Sequence, residues 1–94
     1  MNIAVITGAS SGLGLEYVKA VYKARPDLDK IWIIARRENR LQELKTEFGE
    51  KIVPLAFDIT NPNSLDEYST LLKRENATVK LLINNAGFGK LGDF

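Results

Sequence analysis

Thr7-Gly8-Ala9-Ser10-Ser11-Gly12-Leu13-Gly14 follows the apolar run Ile3-Ala4-Val5-Ile6-Thr7 directly and opens a segment of helical period. Glycines at 8, 12 and 14 let the backbone turn tightly and approach a ligand without side-chain obstruction. A helix starting near Gly12 aims its unsatisfied N–H groups and the positive end of its dipole at the turn, so a pyrophosphate is the natural occupant. The hydroxyls of Thr7, Ser10 and Ser11 offer further donors. A phosphate loop of the Gly-Lys-Ser/Thr kind is excluded, because no such triplet follows. The bland alternative is a glycine-rich turn with no ligand. Three glycines and three hydroxyls between a strand and a helix favour dinucleotide binding over it.

Outward from the turn, apolar runs alternate with helix-period segments. Residues 3–7, 31–35, 52–57 and 79–83 are short and mostly β-branched or aliphatic. The first two are continuous apolar runs, as in strands covered on both faces. The first helical segment places Leu15, Val18, Val21 and Tyr22 on one face and stops at Pro26. The second carries Leu41, Leu44 and Phe48, with Gly49 as its C-terminal cap. The third opens with Ser64 and Glu67 in capping-box spacing and runs Leu65, Tyr68 and Leu72 along a face. This β-α-β-α-β-α-β order predicts an α/β fold with a parallel sheet and right-handed crossovers. Pro54 cannot donate to a ladder, so the third strand belongs at a sheet edge, its place in the order 3-2-1-4.

The chain's 94 residues are 45% hydrophobic and 27% charged, with net charge +1, in the ordinary range for one globular domain. Cysteine and histidine are both absent. That excludes disulfides, thiolate chemistry, Cys/His zinc sites and a Ser-His-Asp triad within these residues, and no metal site is expected. The near-neutral balance gives no electrostatic footprint for nucleic acid or an anionic membrane. No apolar run approaches the ~18 residues of a spanning helix, and the N-terminus reads as a strand rather than a signal peptide. A cytoplasmic location is therefore expected.

The spacing Gly-x-x-x-Gly-x-Gly at 8–14 resembles the TGxxxGxG turn of the short-chain dehydrogenase/reductase family. Three more segments resemble that family in order: Phe57-Asp58-Ile59-Thr60 after the third strand, Asn84-Asn85-Ala86-Gly87 (its NNAG motif) at the end of the fourth, and Phe88-Gly89-Lys90-Leu91-Gly92-Asp93-Phe94 beyond it. The resemblance spans all 94 residues and implies a Rossmann-like sheet binding a dinucleotide across its strand ends. It implies that Gly8, Ser10, Ser11, Gly12, Leu13 and Gly14 hold the pyrophosphate side. Asp58 would accept from the adenine amino group, the Ile59 backbone would complete the base contact, and Asn85, Ala86 and Gly87 would leave room for the ribose. All follow the C-terminal ends of parallel strands, where open α/β sheets bind ligands. Taken singly, Asp58 reads as a turn-starting aspartate, and Asn84 and Asn85 as turn residues closing a strand.

The end of the second strand separates NAD from NADP. NAD binders carry an acidic residue there, about 20 residues past the glycine turn, for the ribose 2′-hydroxyl. Here Ala35 stands at that place, followed by Arg36 and Arg37. A guanidinium holds a 2′-phosphate by paired, charge-assisted hydrogen bonds, so NADP(H) is preferred over NAD(H). Arg36, Arg37 and Arg40 could equally solubilise a helix start, but cations near a helix N-terminus are electrostatically unfavourable.

The resemblance implies hydride transfer between NADP(H) and a carbonyl/alcohol substrate. In it a tyrosine acts as general acid/base with a lysine four residues on, a serine orients the substrate oxygen, and an asparagine supports a proton relay. Tyr17, Tyr22 and Tyr68 have Val21, Pro26 and Leu72 at that spacing, and no serine follows Ser69. No catalytic residue is assigned. Residues 1–94 are thus expected to form the N-terminal dinucleotide-binding half of a Rossmann domain, truncated before the chemistry and inactive alone. The fourth strand, Val79 to Ile83, then becomes an open edge protected only by Lys80, and self-association is expected. A standalone nucleotide-binding or interaction module without catalysis is the alternative, since both need the same cradle. A response-type or methyltransferase-like domain lacks its carboxylates at the ends of the first two strands.

Overall fold

The computed structural model describes residues 1–9, 12–36, 38–58 and 61–85. Four strands, β1 (Asn2–Thr7), β2 (Lys30–Ala35), β3 (Ile52–Ala56) and β4 (Thr78–Asn84), alternate with the helices α1 (Gly12–Ala24), α2 (Glu38–Phe48) and α3 (Pro62–Arg74). The strands form one parallel sheet in the order β3-β2-β1-β4. Pro54 therefore lies on an edge strand, where its missing N–H costs no ladder bond.

Alternation along the strands sorts the core into two faces. Ala4, Ile6, Ile31, Ile33, Ala35 and Ile52 pack with Val18 and Val21 of α1 and with Leu41 and Leu44 of α2. Ile3, Val5, Trp32 and Ile34 point the other way, against Tyr68, Leu71 and Leu72 of α3. The chain crosses the sheet in one direction through β1, β2 and β3, then returns to β4. Crossovers of one hand consequently place α3 on the opposite face from α1 and α2. The Trp32 ring meets Tyr68 edge-on, with centroids 6.2 Å apart and planes at 78°. Burial raises the Tyr68 hydroxyl above the ordinary tyrosine value.

Helix ends follow local chemistry. Gly49 caps α2 at φ +89°, its N–H donating to the Lys45 carbonyl at 2.7 Å. The start of α3 differs from the capping-box expectation at Ser64 and Glu67. Asn61 is the N-cap, its Oδ1 accepting from Asn63 N–H at 2.9 Å, and Pro62 occupies the first turn. Asn caps well and Pro at N1 sacrifices no hydrogen bond, so the Asn61-Pro62 pair starts the helix three residues earlier.

The face expected on α3 also rotates. Tyr68 and Leu72 pack on the sheet as expected and Leu71 joins them, while Leu65 remains 51% exposed. Tyr22, expected on the buried face of α1, is exposed at its edge and lies against the Phe48 ring at 5.1 Å between centroids. Among the described residues β4 is an outer strand of the sheet, with Val79 and Leu82 exposed. Among the described residues no helix is long and apolar enough to cross a membrane.

Candidate nucleotide site

Register brings the ends of all four strands to one side of the sheet. Thr7 lies beside Ile34 on one flank and Asn84 on the other, and Ala35 lies beside Ala56. The segments holding Gly8, Arg36, Asp58 and Asn85 therefore leave the sheet along one rim, where parallel α/β sheets take ligands.

The glycine turn is fastened to that rim. Gly8 has φ +66°, a region that disfavours any side chain. Its N–H donates to the Ile34 carbonyl at 2.8 Å, and the Ala9 N–H reaches the same oxygen at 3.3 Å. Gly14 is buried, and a Cβ there would collide with the Gly8 carbonyl and come within 2.8 Å of the Ala9 Cα. The third glycine therefore lets α1 close onto its own turn. Gly12 is different, since a Cβ there would meet nothing within 4 Å. Packing of the described chain does not require glycine at 12. Its bare backbone faces open space at the positive end of α1.

The Thr7 hydroxyl has another task than ligand donation. It is buried and donates to Asn84 Oδ1 at 2.8 Å, with the Ile83 carbonyl at 3.5 Å. Its single proton serves the join between β1 and β4. One residue on, Asn85 Nδ2 donates to the Gly8 carbonyl at 3.2 Å. These two ties between β1 and β4 were missed in the sequence, although Thr7 and the Asn84-Asn85 pair end strands that are neighbours in the order 3-2-1-4.

Arg36 is exposed just past β2 and has no ion-pair partner among the described residues. Arg40, by contrast, faces Glu43 at 3.7 Å. Asp58 is half-buried after β3, and its carbonyl accepts from Asn61 N–H at 2.9 Å. Leu13 is 50% exposed beside the turn. The structure thus brings Gly8, Gly12, Leu13, Gly14, Arg36, Asp58 and Asn85 to one rim. Ser10, Ser11, Arg37, Ile59, Ala86 and Gly87, with the 88–94 segment, lie outside the described residues. Below the rim, on the α3 face, a mostly apolar cavity of about 270 Å³ lies among Val5, Phe57, Leu65, Tyr68 and Leu82.

Comparison with known proteins agrees with this arrangement. The short chain dehydrogenase family model matches residues 2–94. A probable NADP-dependent dehydrogenase of Dichelobacter nodosus is 40% identical over 86 residues, covering 90% of this chain and 77% of that protein. The NADP-dependent 3-hydroxy acid dehydrogenase of Escherichia coli K12 is 32% identical over 85 residues, covering 90% of this chain and 33% of its own length. Among solved structures, L-sorbose reductase from Gluconobacter frateurii, complexed with NADPH and L-sorbose, superposes with a TM-score of 0.74 at 34% identity. That match covers 93% of this chain and 34% of the reductase. The chain thus spans most of one relative and about a third of the others. With its glycine turn, sheet order and strand-end residues in place, the chain belongs to the short-chain dehydrogenase family.

Proposed function

We propose that residues 1–94 form the N-terminal dinucleotide-binding half of a Rossmann domain, holding the adenosine and pyrophosphate of NADP(H) for an oxidoreductase. The observation that carries this reading is the open space over Gly12 at the N-terminus of α1, beside a turn whose other glycines are taken up by a positive φ (Gly8) and by packing (Gly14). A diphosphate fits there, because backbone N–H groups and the helix dipole favour an anion. Gly8, Ser10, Ser11, Gly12, Leu13 and Gly14 would hold it. Asp58 and Ile59 would take the adenine, and Asn85, Ala86 and Gly87 the ribose. Arg36 and Arg37 would take the 2′-phosphate, a role supported by the exposure of Arg36, which has no ion-pair partner among the described residues, and by the NADP dependence named for the relatives.

When bound, the nicotinamide supplies hydride exchange with a carbonyl or alcohol. The residues of this chain would bind and orient the cofactor. None of its three tyrosines carries a lysine four residues on, so the chain alone is proposed to turn over no substrate. Its relatives' greater length supports placing the chemistry in sequence of the kind that follows in them. Among the described residues β4 is an outer strand of the sheet; residues 1–94 are also proposed to self-associate.

Trp32, the chain's one tryptophan, is buried in the sheet that carries the site and can report reduced nicotinamide by energy transfer. Titration should give tighter binding for NADPH than for NADH by about tenfold or more, matching ~1.5–3 kcal/mol for charge-assisted bonds to a phosphate. Arg36→Ala should remove most of that difference. Equal affinities, or a preference untouched by the substitution, would overturn the NADP assignment.

A further inference from the structure

We propose that Lys45 and Pro54 together close the outer edge of β3 to strand addition. Lys45 holds its ammonium on a carbonyl that an added strand would need, and Pro54 withholds a donor. Among the described residues β3 is an outer strand of the sheet. The closure lies in backbone groups that β3 itself carries and in one side chain of α2, and the nucleotide site has no part in it.

The ladder between β2 and β3 shows which groups face outward. The Ile31 N–H donates to the Lys51 carbonyl at 2.8 Å, and Ile52, Pro54 and Ala56 stand beside Ile31, Ile33 and Ala35. Backbone groups alternate in direction along a strand, so Lys51, Val53 and Leu55 turn theirs to β2 while Ile52, Pro54 and Ala56 turn theirs outward. The first two outward positions are already taken. The Ile52 N–H donates to the Gly49 carbonyl at 3.1 Å, inside the turn that ends α2. The Ile52 carbonyl accepts from Lys45 Nζ at 3.1 Å, the ammonium reaching it from the last turn of α2. Pro54 has no N–H to offer. Beyond it the Phe57 N–H turns back to the Leu55 carbonyl at 3.0 Å, so the chain leaves the extended line at Ala56.

The composition of β3 explains why such closure is needed. Ile52-Val53-Pro54-Leu55-Ala56-Phe57 carries no charge. Apolar windows of that length stack edge to edge with other copies when no proline interrupts them. Proline and lysine are the residues with which natural sheets blunt an edge. Lys45 is not on the strand at all and works from seven residues before the carbonyl it covers. Its ammonium also lies 3.7 Å from the Glu50 carboxylate, which holds it at the start of the strand. Lys19 makes a similar pair with Glu16 at 3.7 Å on α1 and serves as the matched control.

The test restores both missing groups. Pro54→Val returns an outward N–H, and Lys45→Met keeps the side-chain stem while freeing the Ile52 carbonyl. With circular dichroism confirming a folded start, Lys45→Met/Pro54→Val should form sedimenting assemblies at least about tenfold faster than Pro54→Val alone. In the Pro54→Val background Lys45→Arg should stay slow, because a guanidinium still donates. Lys19→Met should stay slow as well, because it makes the same exchange away from the strand. In the assemblies the amide introduced at position 54 should exchange its hydrogen at least about tenfold more slowly than in the monomer, which separates pairing at β3 from association through any other surface. A double variant that assembles no faster than Pro54→Val alone would overturn the proposal. Equal acceleration by Lys19→Met, or assemblies in which that amide exchanges freely, would overturn it too.

Discussion

Each glycine of the turn has its own physical reason, and substitution should separate them. A methyl at Gly14 would collide with the backbone of Gly8 and Ala9, and backbone cannot rotate away. Gly14→Ala should therefore cost about 3 kcal/mol of unfolding free energy in a urea titration and weaken NADPH binding as well. Gly12→Ala, whose methyl enters open space, should leave stability within about 0.5 kcal/mol while weakening NADPH binding by about tenfold or more. The Thr7–Asn84 hydrogen bond predicts a third outcome. Thr7→Val keeps the shape but removes the donor, and should cost about 1 kcal/mol in the same titration, whereas Thr7→Ser should cost less. Tyr68 gives a pH prediction. Its hydroxyl titrates above the ordinary 10.0 in the folded chain because burial penalises the phenolate. The unfolded chain releases that proton first, so this contribution is full below pH 10 and is lost as pH rises towards the folded value. Thermal melts should show an alkaline loss of stability that Tyr68→Phe reduces.

Among the elements, α3 separates what local pattern reveals from what it does not. Its existence and its Tyr68 and Leu72 contacts were legible from apolar spacing. Its start was not, because Ser64 and Glu67 offer a formal capping box while Asn61, followed by Pro62, offers a better N-cap three residues earlier. Asn61→Ala should accordingly cost about 1 kcal/mol, and Ser64→Ala distinctly less, in urea unfolding followed by circular dichroism. The reverse order would restore the capping box as the start. The exposure of Leu65 was hidden for another reason. Periodicity selects a face of a helix but not how far across the sheet that helix reaches, and α3 packs with β1, β2 and β3 side chains while leaving Leu82 bare. Pro54 carried the opposite kind of information: one residue type, through one missing donor, assigned β3 to an edge.

At the scale of the whole molecule, the order β3-β2-β1-β4 was legible because the glycine turn, the alternating elements and Pro54 all demand it. The site was legible as a set of strand ends. Its internal ties were not, since Thr7 to Asn84 and Asn85 to Gly8 join residues 77 positions apart, and local pattern is blind to such contacts. The central claim is that one rim of this sheet binds a 2′-phosphorylated dinucleotide. The most direct measurement is an amide ¹H–¹⁵N NMR titration of the 94-residue chain with NADP⁺. The largest shifts should fall on Gly8, Gly12, Leu13, Gly14, Arg36, Asp58 and Asn85, with the Arg36 shifts lost when NAD⁺ replaces NADP⁺. Shifts confined to the α3 face around Leu65 and Leu82, or none at millimolar nucleotide, would contradict the account.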